Sequence, residues 1–400
     1  MNIGLLTTSF PRHRNDVAGH FVLGFARALC ARGHTVEVLA PEPATPSAPP
    51  PWPDIHVQYV PYLRPRALQR TFYGAGVPDN LRRDPAAWLG LLPFSLSLLN
   101  AARRRAPRWD AVVSHWALPC ALAAGAVRLR GARGPLPHVA VLHSADIHLL
   151  SKLPARALLT RRIAREADTL WFVSEAQRAR YLALLPGEPP ASSVVCPMGI
   201  DLPVQGPLSG PERLAFRRRH GLQGFCVLTL GRHVPIKGLD VALRAAANGG
   251  MTWLIAGDGP ERPRLMHEAR ALGATVRFIG PVFDDDKRAW LSAADAFALP
   301  SRRLPDGRSE GLPCALLEAL AYGLPVVASR LPGITELLEE HGLHEGLVHP
   351  EDPDALHAAL LRARDQPRAR DVQQHREPGL AARYGWDRVG EQIGALLEHR

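Results

Sequence analysis

The sequence predicts an α/β protein made of two doubly wound domains, each built on a parallel sheet. Three observations carry this. Short apolar runs alternate with helical patterns along the whole 400-residue chain, as buried parallel strands with crossover helices require. The alternation stops at a Pro- and Gly-rich stretch, residues 202–211, and then restarts. The length itself favours two domains, each large enough for its own core. Residues 1–203 are read as the first domain, 204–375 as the second, and 376–400 as a helical segment returning to the first. In such sheets ligands sit at the carboxyl ends of the strands, so two facing domains place the site in a central cleft.

The elements follow in order. Residues 3–7 form the first strand. Gly19 opens a helix that runs to Arg32, Gly33 ends it, and residues 35–40 make the next strand. The Pro-rich segment 41–53 has no core-forming pattern and reads as a loop. A strand resumes over 54–60. Residues 61–109 are Arg-rich around the apolar Trp88-Leu89-Gly90-Leu91-Leu92-Pro93-Phe94. Further strands cover 110–114, 138–142 and 169–173, and 194–201 runs into a turn. The second half repeats the scheme with strands at 225–230, 252–256, 276–279, 296–299, 326–329 and 347–348.

Composition narrows the class. No run reaches the ~20 consecutive apolar residues of a membrane-spanning helix. The first residues lack the basic start and cleavage site of a signal peptide and read as a strand. Cys30, Cys120, Cys196, Cys226 and Cys314 are odd in number and scattered, as reduced core thiols of a cytosolic protein would be. The net charge of +10 is uneven: residues 1–205 hold 23 Lys/Arg against 13 Asp/Glu, and residues 206–400 hold 25 against 25. A basic half suits a partner bearing phosphate.

The densest chemistry lies in Gly307-Arg308-Ser309-Glu310-Gly311-Leu312-Pro313-Cys314-Ala315-Leu316-Leu317-Glu318, between two buried-strand patterns. Pro313 suits the first turn of a helix, which leaves Glu310 on the strand-to-helix loop and Glu318 about two turns in. Free N–H groups at such a helix start favour an anion, and the two carboxylates are acceptors for sugar hydroxyls. Gly231-Arg232-His233-Val234-Pro235-Ile236-Lys237-Gly238 follows another strand. Arg232 and Lys237 bring two cations to its end, as a diphosphate requires. It is not a P-loop, since no Ser or Thr follows the Lys. Gly257-Asp258-Gly259-Pro260 is a third strand-end turn with Pro260 at a helix start. In the first half, Gly19 opens its helix after the first strand. His115-Trp116 and His143-Ser144-Ala145-Asp146 follow strands at the same sheet edge, where His143 or His115 with Asp146 can meet a sugar. Asp284-Asp285-Asp286 reads as first-turn acids of a helix, and no Cys/His cluster has zinc spacing.

These motifs resemble the large family 4 of retaining glycosyltransferases, which have the GT-B fold. Glu310 and Glu318 are similar to its Glu-x7-Glu pair, Gly231-Arg232 and Lys237-Gly238 to its donor loop, and Gly257-Asp258-Gly259-Pro260 to its Gly-Asp-Gly-Pro turn. Residues 195–201 resemble the end of its first domain, with Met198 where Asn is common. Residues 143–146 resemble its His-Gly-x-Asp segment, with Ser144 in place of Gly, and residues 29–41 resemble its second strand. The resemblance implies transfer of a hexosyl group from a nucleotide-diphospho sugar, with retained configuration and no required metal or other cofactor. It implies that Arg232 and Lys237 hold the diphosphate, Glu318 the ribose, and Glu310 the donor sugar. His143 would approach that sugar from the first domain, and Gly19 would lie near the diphosphate. Gly231, Asp258, Gly259, Gly311, Leu312 and Pro313 would complete the donor site, with His115 and Asp146 on the acceptor side.

The resemblance implies a glycan or a lipid-linked saccharide as the acceptor, as in cell-surface polysaccharide assembly. Residues 60–165 hold 17 Lys/Arg and 4 Asp/Glu beside the apolar 88–99 stripe, which points to peripheral attachment on an anionic membrane, on its inner, cytoplasmic face. A GT-B epimerase or phosphorylase is the competing enzyme class. A nucleic-acid-binding protein accounts for the charge alone, but no aromatic-basic interleaving or nucleic-acid module is present.

Overall fold

Every strand expected above is a parallel strand in the computed structural model, whereas the apolar 88–94 run is helical; the structure describes residues 1–14, 16, 18–45, 52–74, 76–131, 134–185, 187, 192–201, 206–365 and 383–398. In the first half these are β1 (Asn2–Leu6), β2 (Thr35–Pro41), β3 (Ile55–Val60), β4 (Ala111–His115), β5 (His138–Leu142), β6 (Thr169–Phe172) and β7 (Ser193–Val195). In the second they are β8 (Cys226–Leu230), β9 (Thr252–Ala256), β10 (Val276–Gly280), β11 (Ala296–Leu299), β12 (Val326–Ser329) and β13 (Leu347–Val348). β4, β5, β6, β8, β11 and β12 are buried at every position. Helices therefore cover both faces, and the strands read as continuous apolar runs rather than alternating ones.

The first sheet has the order β3-β2-β1-β4-β5-β6-β7 and the second β10-β9-β8-β11-β12-β13. In each, the order reverses beside the strand that opens the sheet, between β1 and β4 and between β8 and β11. That reversal opens a crevice at the carboxyl ends of the two strands.

The chain divides into two compact units, Met1–Gly199 with Trp386–Arg400, and Ile200–Gly385. Within the first unit the helix Trp386–Glu398 packs on the helix His20–Ala31. Gly24 and Gly199 leave room for the Trp386 indole, where a Cβ would overlap its ring.

Some expectations change. Much of the linker, 202–205, and parts of the 41–53 loop and the C-terminal segment, 46–51 and 376–382, lie outside the described residues. The far end of the linker is already helix, Gly210–Arg219, where Ser209 and Glu212 form a capping box. Helix Cys314–Ala321 starts one residue later than expected, with Pro313 as its N-cap. Pro260 precedes rather than starts its helix, Arg262–Ala271. The expectation that nothing is long and apolar enough to cross a bilayer fails for Pro85–Arg108, 24 continuous helical residues that pass by length and composition. Ser95, Ser97 and Asn100 interrupt the apolar run there, but none of them is charged. Phe94, Leu98 and Ala102 recur every fourth residue on its buried side. Burial of the two larger ones stabilises by roughly 1.5–3 kcal/mol each.

Candidate functional site

The site residues are built on the switch point of each sheet. In the first unit, the loop after β1 ends at Gly19, the N-cap of helix His20–Ala31, with φ 67° and ψ 23°. A Cβ there would strike the Ser9 carbonyl, so the position takes glycine for both space and conformation. β4 ends at His115, and Trp116 follows with φ 72° and ψ 140°, a region non-glycine residues enter only when the surroundings enforce it. Here Asp146 does so. Its Oδ2 accepts the Ala117 N–H at 2.7 Å and its Oδ1 the His143 N–H at 2.9 Å. One carboxylate thus ties the end of β4 to the end of β5.

The two histidines have a definite proton arrangement. The His143 ring caps helix Ser144–Lys152 by accepting the backbone N–H of Asp146. Its Nε2 lies 3.2 Å from His115 Nδ1, with the ring planes 18° apart. With Nε2 turned to His115, the capping acceptor is Nδ1. A neutral imidazole with an accepting Nδ1 carries its proton on Nε2. His143 therefore donates to His115 Nδ1, and His115 carries its own proton on Nε2, buried and without a partner. Phe25 stands edge-on to His115 at 4.8 Å and Phe21 packs on His143 at 5.1 Å. Burial pushes His143 down to about 3 and His115 well below the ordinary histidine range, the latter helped by His143. Both rings are neutral at pH 7. Burial also pushes Asp146 up to about 7, against the pull of the backbone N–H groups it accepts.

His115 and Asp146, expected on the acceptor side, both lie beneath the surface. His115 is fully buried and Asp146 is 5 % exposed, with both oxygens engaged by backbone. Their contacts shape the His143 loop. Spacing alone did not distinguish the two roles.

In the second unit, two strand-end loops are laced together. Gly231 N–H bonds the Ala256 carbonyl at 3.1 Å, His233 N–H the Asp258 carbonyl at 2.8 Å, and Glu261 N–H the His233 carbonyl at 3.0 Å. The Gly259 N–H closes back on the Asp258 carboxylate at 2.8 Å. The exchange holds Gly231, Asp258 and Gly259 together and leaves Arg232 exposed beside them. His233 is buried beneath, and burial pushes it down to about 4. Lys237 ends a short turn before Gly238, which caps helix Leu239–Ala247 at φ 60° and, like Gly19, faces a backbone carbonyl, that of Pro300.

Lys237 Nζ is 2.9 Å from Glu310 Oε2, joining the loop after β8 to the loop after β11. Gly311, Leu312 and Pro313 lead from Glu310 into helix Cys314–Ala321, on whose second turn Glu318 stands. Glu318 Oε1 is 2.7 Å from Lys287 Nζ, on helix Asp284–Ala293. Between these pairs lies Cys314, its thiol pushed up to about 12 by burial and by Glu318. Lys287 was not singled out from the sequence, where it follows three aspartates that supply a simpler reading. The available signal was its rarity, one of three lysines among 48 cationic side chains. Among the described residues no cluster of His, Cys, Asp and Glu has a metal-holding arrangement.

Comparison with known proteins agrees with this construction. Residues 224–366 match the family described as "Glycosyl transferases group 1", and residues 18–199 the "Glycosyl transferase 4-like domain". A GDP-mannose-dependent alpha-(1-6)-phosphatidylinositol monomannoside mannosyltransferase of Mycobacterium tuberculosis is 31% identical over 412 residues, covering 98% of this chain and 97% of its own. The amylovoran biosynthesis glycosyltransferase AmsK of Erwinia amylovora is 31% identical over 275 residues, 67% of this chain and 64% of its own. Among solved structures, Anabaena HepE in complex with UDP and glucose superposes with a TM-score of 0.71 over 100% of both chains, at 19% identity. Two matched halves and a relative similar over nearly its full length establish the family: the chain belongs to the group 1 glycosyl transferases, and is a glycosyltransferase of retaining family 4 with the GT-B fold.

Proposed function

We propose that the protein transfers a hexosyl group from a nucleotide-diphospho sugar to a glycan or lipid-linked acceptor, with retention and without a metal. The observation that carries this is the pair of cation–carboxylate contacts at the second switch point, Lys237–Glu310 and Lys287–Glu318. A departing nucleoside diphosphate gains negative charge, and Arg232 and Lys237 offer fixed positive charge to it. Glu318 takes the ribose hydroxyls and Glu310 the donor sugar. From the first unit, His143 is assigned to the donor sugar and Gly19 to the diphosphate. Asp146, beside His143, is engaged by backbone N–H groups, so it is a poor nucleophile for a double displacement. The reading is therefore front-face attack by the acceptor hydroxyl, its proton passing to the leaving phosphate. Purified protein is screened for hydrolysis and thermal shift with UDP-, GDP- and ADP-sugars in EDTA, beside Glu318→Ala. Stabilisation by one nucleotide series, absent in Glu318→Ala, is expected. No response to any of them overturns the reading, and so would a trapped glycosyl-enzyme.

The acceptor side points to a membrane. Trp88, Leu92 and Leu96 recur every four residues and are 57%, 68% and 59% exposed, with Leu89 at 66% beside them. Exposed Arg82, Arg83, Arg103 and Arg104 flank this apolar stripe. Apolar side chains between arginines suit insertion at an anionic lipid surface, here the cytoplasmic face. Sedimentation with phosphatidylglycerol vesicles is expected to be salt-sensitive and to fail with Leu92→Glu/Leu96→Glu. Equal sedimentation of that variant, or none of the parent, removes the membrane from the proposal.

A further inference from the structure

Of 48 Lys and Arg residues only Lys152, Lys237 and Lys287 are lysines. The second unit holds two of them, and each is paired with one glutamate of the Glu310/Glu318 set. Other ion pairs of this unit use arginine, such as Arg213 and Arg217 on Asp295 and Arg302 on Asp240. A preference this strong that lapses at these positions has a physical reason. A guanidinium is a planar fork of five donors that can close on both oxygens of a carboxylate or, as Arg213 and Arg217 do, spread over one oxygen and neighbouring carbonyls, whereas an ammonium is a compact point donor. Lys287 engages Glu318 Oε1 alone and leaves Oε2 to accept another hydrogen bond. The lysine stays charged: burial pulls its pKa down, and the Glu318 carboxylate, joined by Asp201, more than reverses that pull.

We propose that Lys287 is a positioning residue for nucleotide recognition, orienting Glu318 through one oxygen so that the other accepts the ribose hydroxyls of a nucleoside diphosphate. This rests on the assignment of Glu318 to the ribose. The test exploits the Arg substitution, because an ion pair of purely structural value survives Lys287→Arg. Calorimetric binding of UDP, GDP and ADP, each beside its 2′,3′-dideoxy form, is measured on the full chain, on Lys287→Arg and on Lys287→Gln. The parent is expected to prefer one ribonucleotide over its dideoxy form by about ten- to a hundredfold, the range for hydrogen bonds to a charged group. Lys287→Arg is expected to lose that preference while its affinity for the dideoxy form holds. Lys287→Gln, a neutral donor to one oxygen, is expected to keep more of it. An unchanged preference in Lys287→Arg, or the reverse ranking of the two variants, overturns the proposal. A parent that binds no nucleoside diphosphate, or binds both forms equally, overturns the Glu318 assignment instead.

Discussion

The first unit holds 25 Lys and Arg against 15 Asp and Glu and the second 23 against 23, yet the residues at their switch points run the other way. The basic unit presents two neutral histidines, packed by Phe21 and Phe25, and a carboxylate engaged by backbone. The electrically balanced unit presents Arg232, Lys237, Lys287, Glu310 and Glu318, with the lysines and glutamates paired at 2.7–2.9 Å. Net charge acts over the whole surface, steering and attracting, whereas a leaving phosphate needs charge fixed at one point. A composition-level excess therefore does not locate the ionic part of a site.

The largest effect should come from the charged side. Lys237→Met removes one cation and leaves Glu310 without its partner, and kcat/KM is expected to fall about a hundred- to a thousandfold. Steady-state kinetics decides this. A fall under tenfold would mean that fixed charge is not what the second unit contributes.

The neutral side should show itself in acid. The folded pKa values of His115, His138 and His143 lie below the ordinary histidine range because the rings are buried. The unfolded chain then binds more protons, so their stabilisation is whole above pH ~6.5 and is lost as pH falls toward 4. Asp146, raised to about 7 by burial, works in the opposite sense between pH 7 and its unfolded value. His233 in the second unit, pushed down to about 4 by burial, adds to them; four groups outweigh one, and unfolding free energy in urea is expected to drop by about 5 kcal/mol from pH 7 to pH 5. A flat profile would mean that the rings are already charged in the fold.

Where the units share a device, they should respond alike. Gly19 and Gly238 both cap a helix with positive φ against a carbonyl, and alanine at either is expected to destabilise by about 2 kcal/mol. Denaturant melts of the two variants test that equivalence, and a difference above that size would break it. The smallest effect concerns the imidazole pair. His115→Phe leaves the His143 Nε2–H without its acceptor and is expected to lower stability by about 1–2 kcal/mol. His115→Asn, whose Oδ1 can replace Nδ1, should retain most of it. Nitrogen-15 shifts of His143 report the tautomer directly, and a proton on Nδ1 in the parent would refute the donor order drawn above.

Much of this fold was legible in the chain because its signals are local. Continuous apolar runs mark strands covered on both faces. Gly19 and Gly238 stand where helices begin, and the interval from Glu310 to Glu318 fits a loop followed by a helix. What the sequence determined by itself was therefore the list of strands, the two-part organisation and the chemistry at each strand end. Only the tertiary structure decided which strand ends are neighbours, and with them the partners. His115 meets His143 across 28 residues and Lys287 meets Glu318 across 31. Pattern periodicity reaches only a few residues along one element, whereas these contacts depend on the order of strands in a sheet. Burial decided the rest: His and Asp side chains of types that could touch a substrate became buried supports, the histidines neutral, once the sheet closed over them.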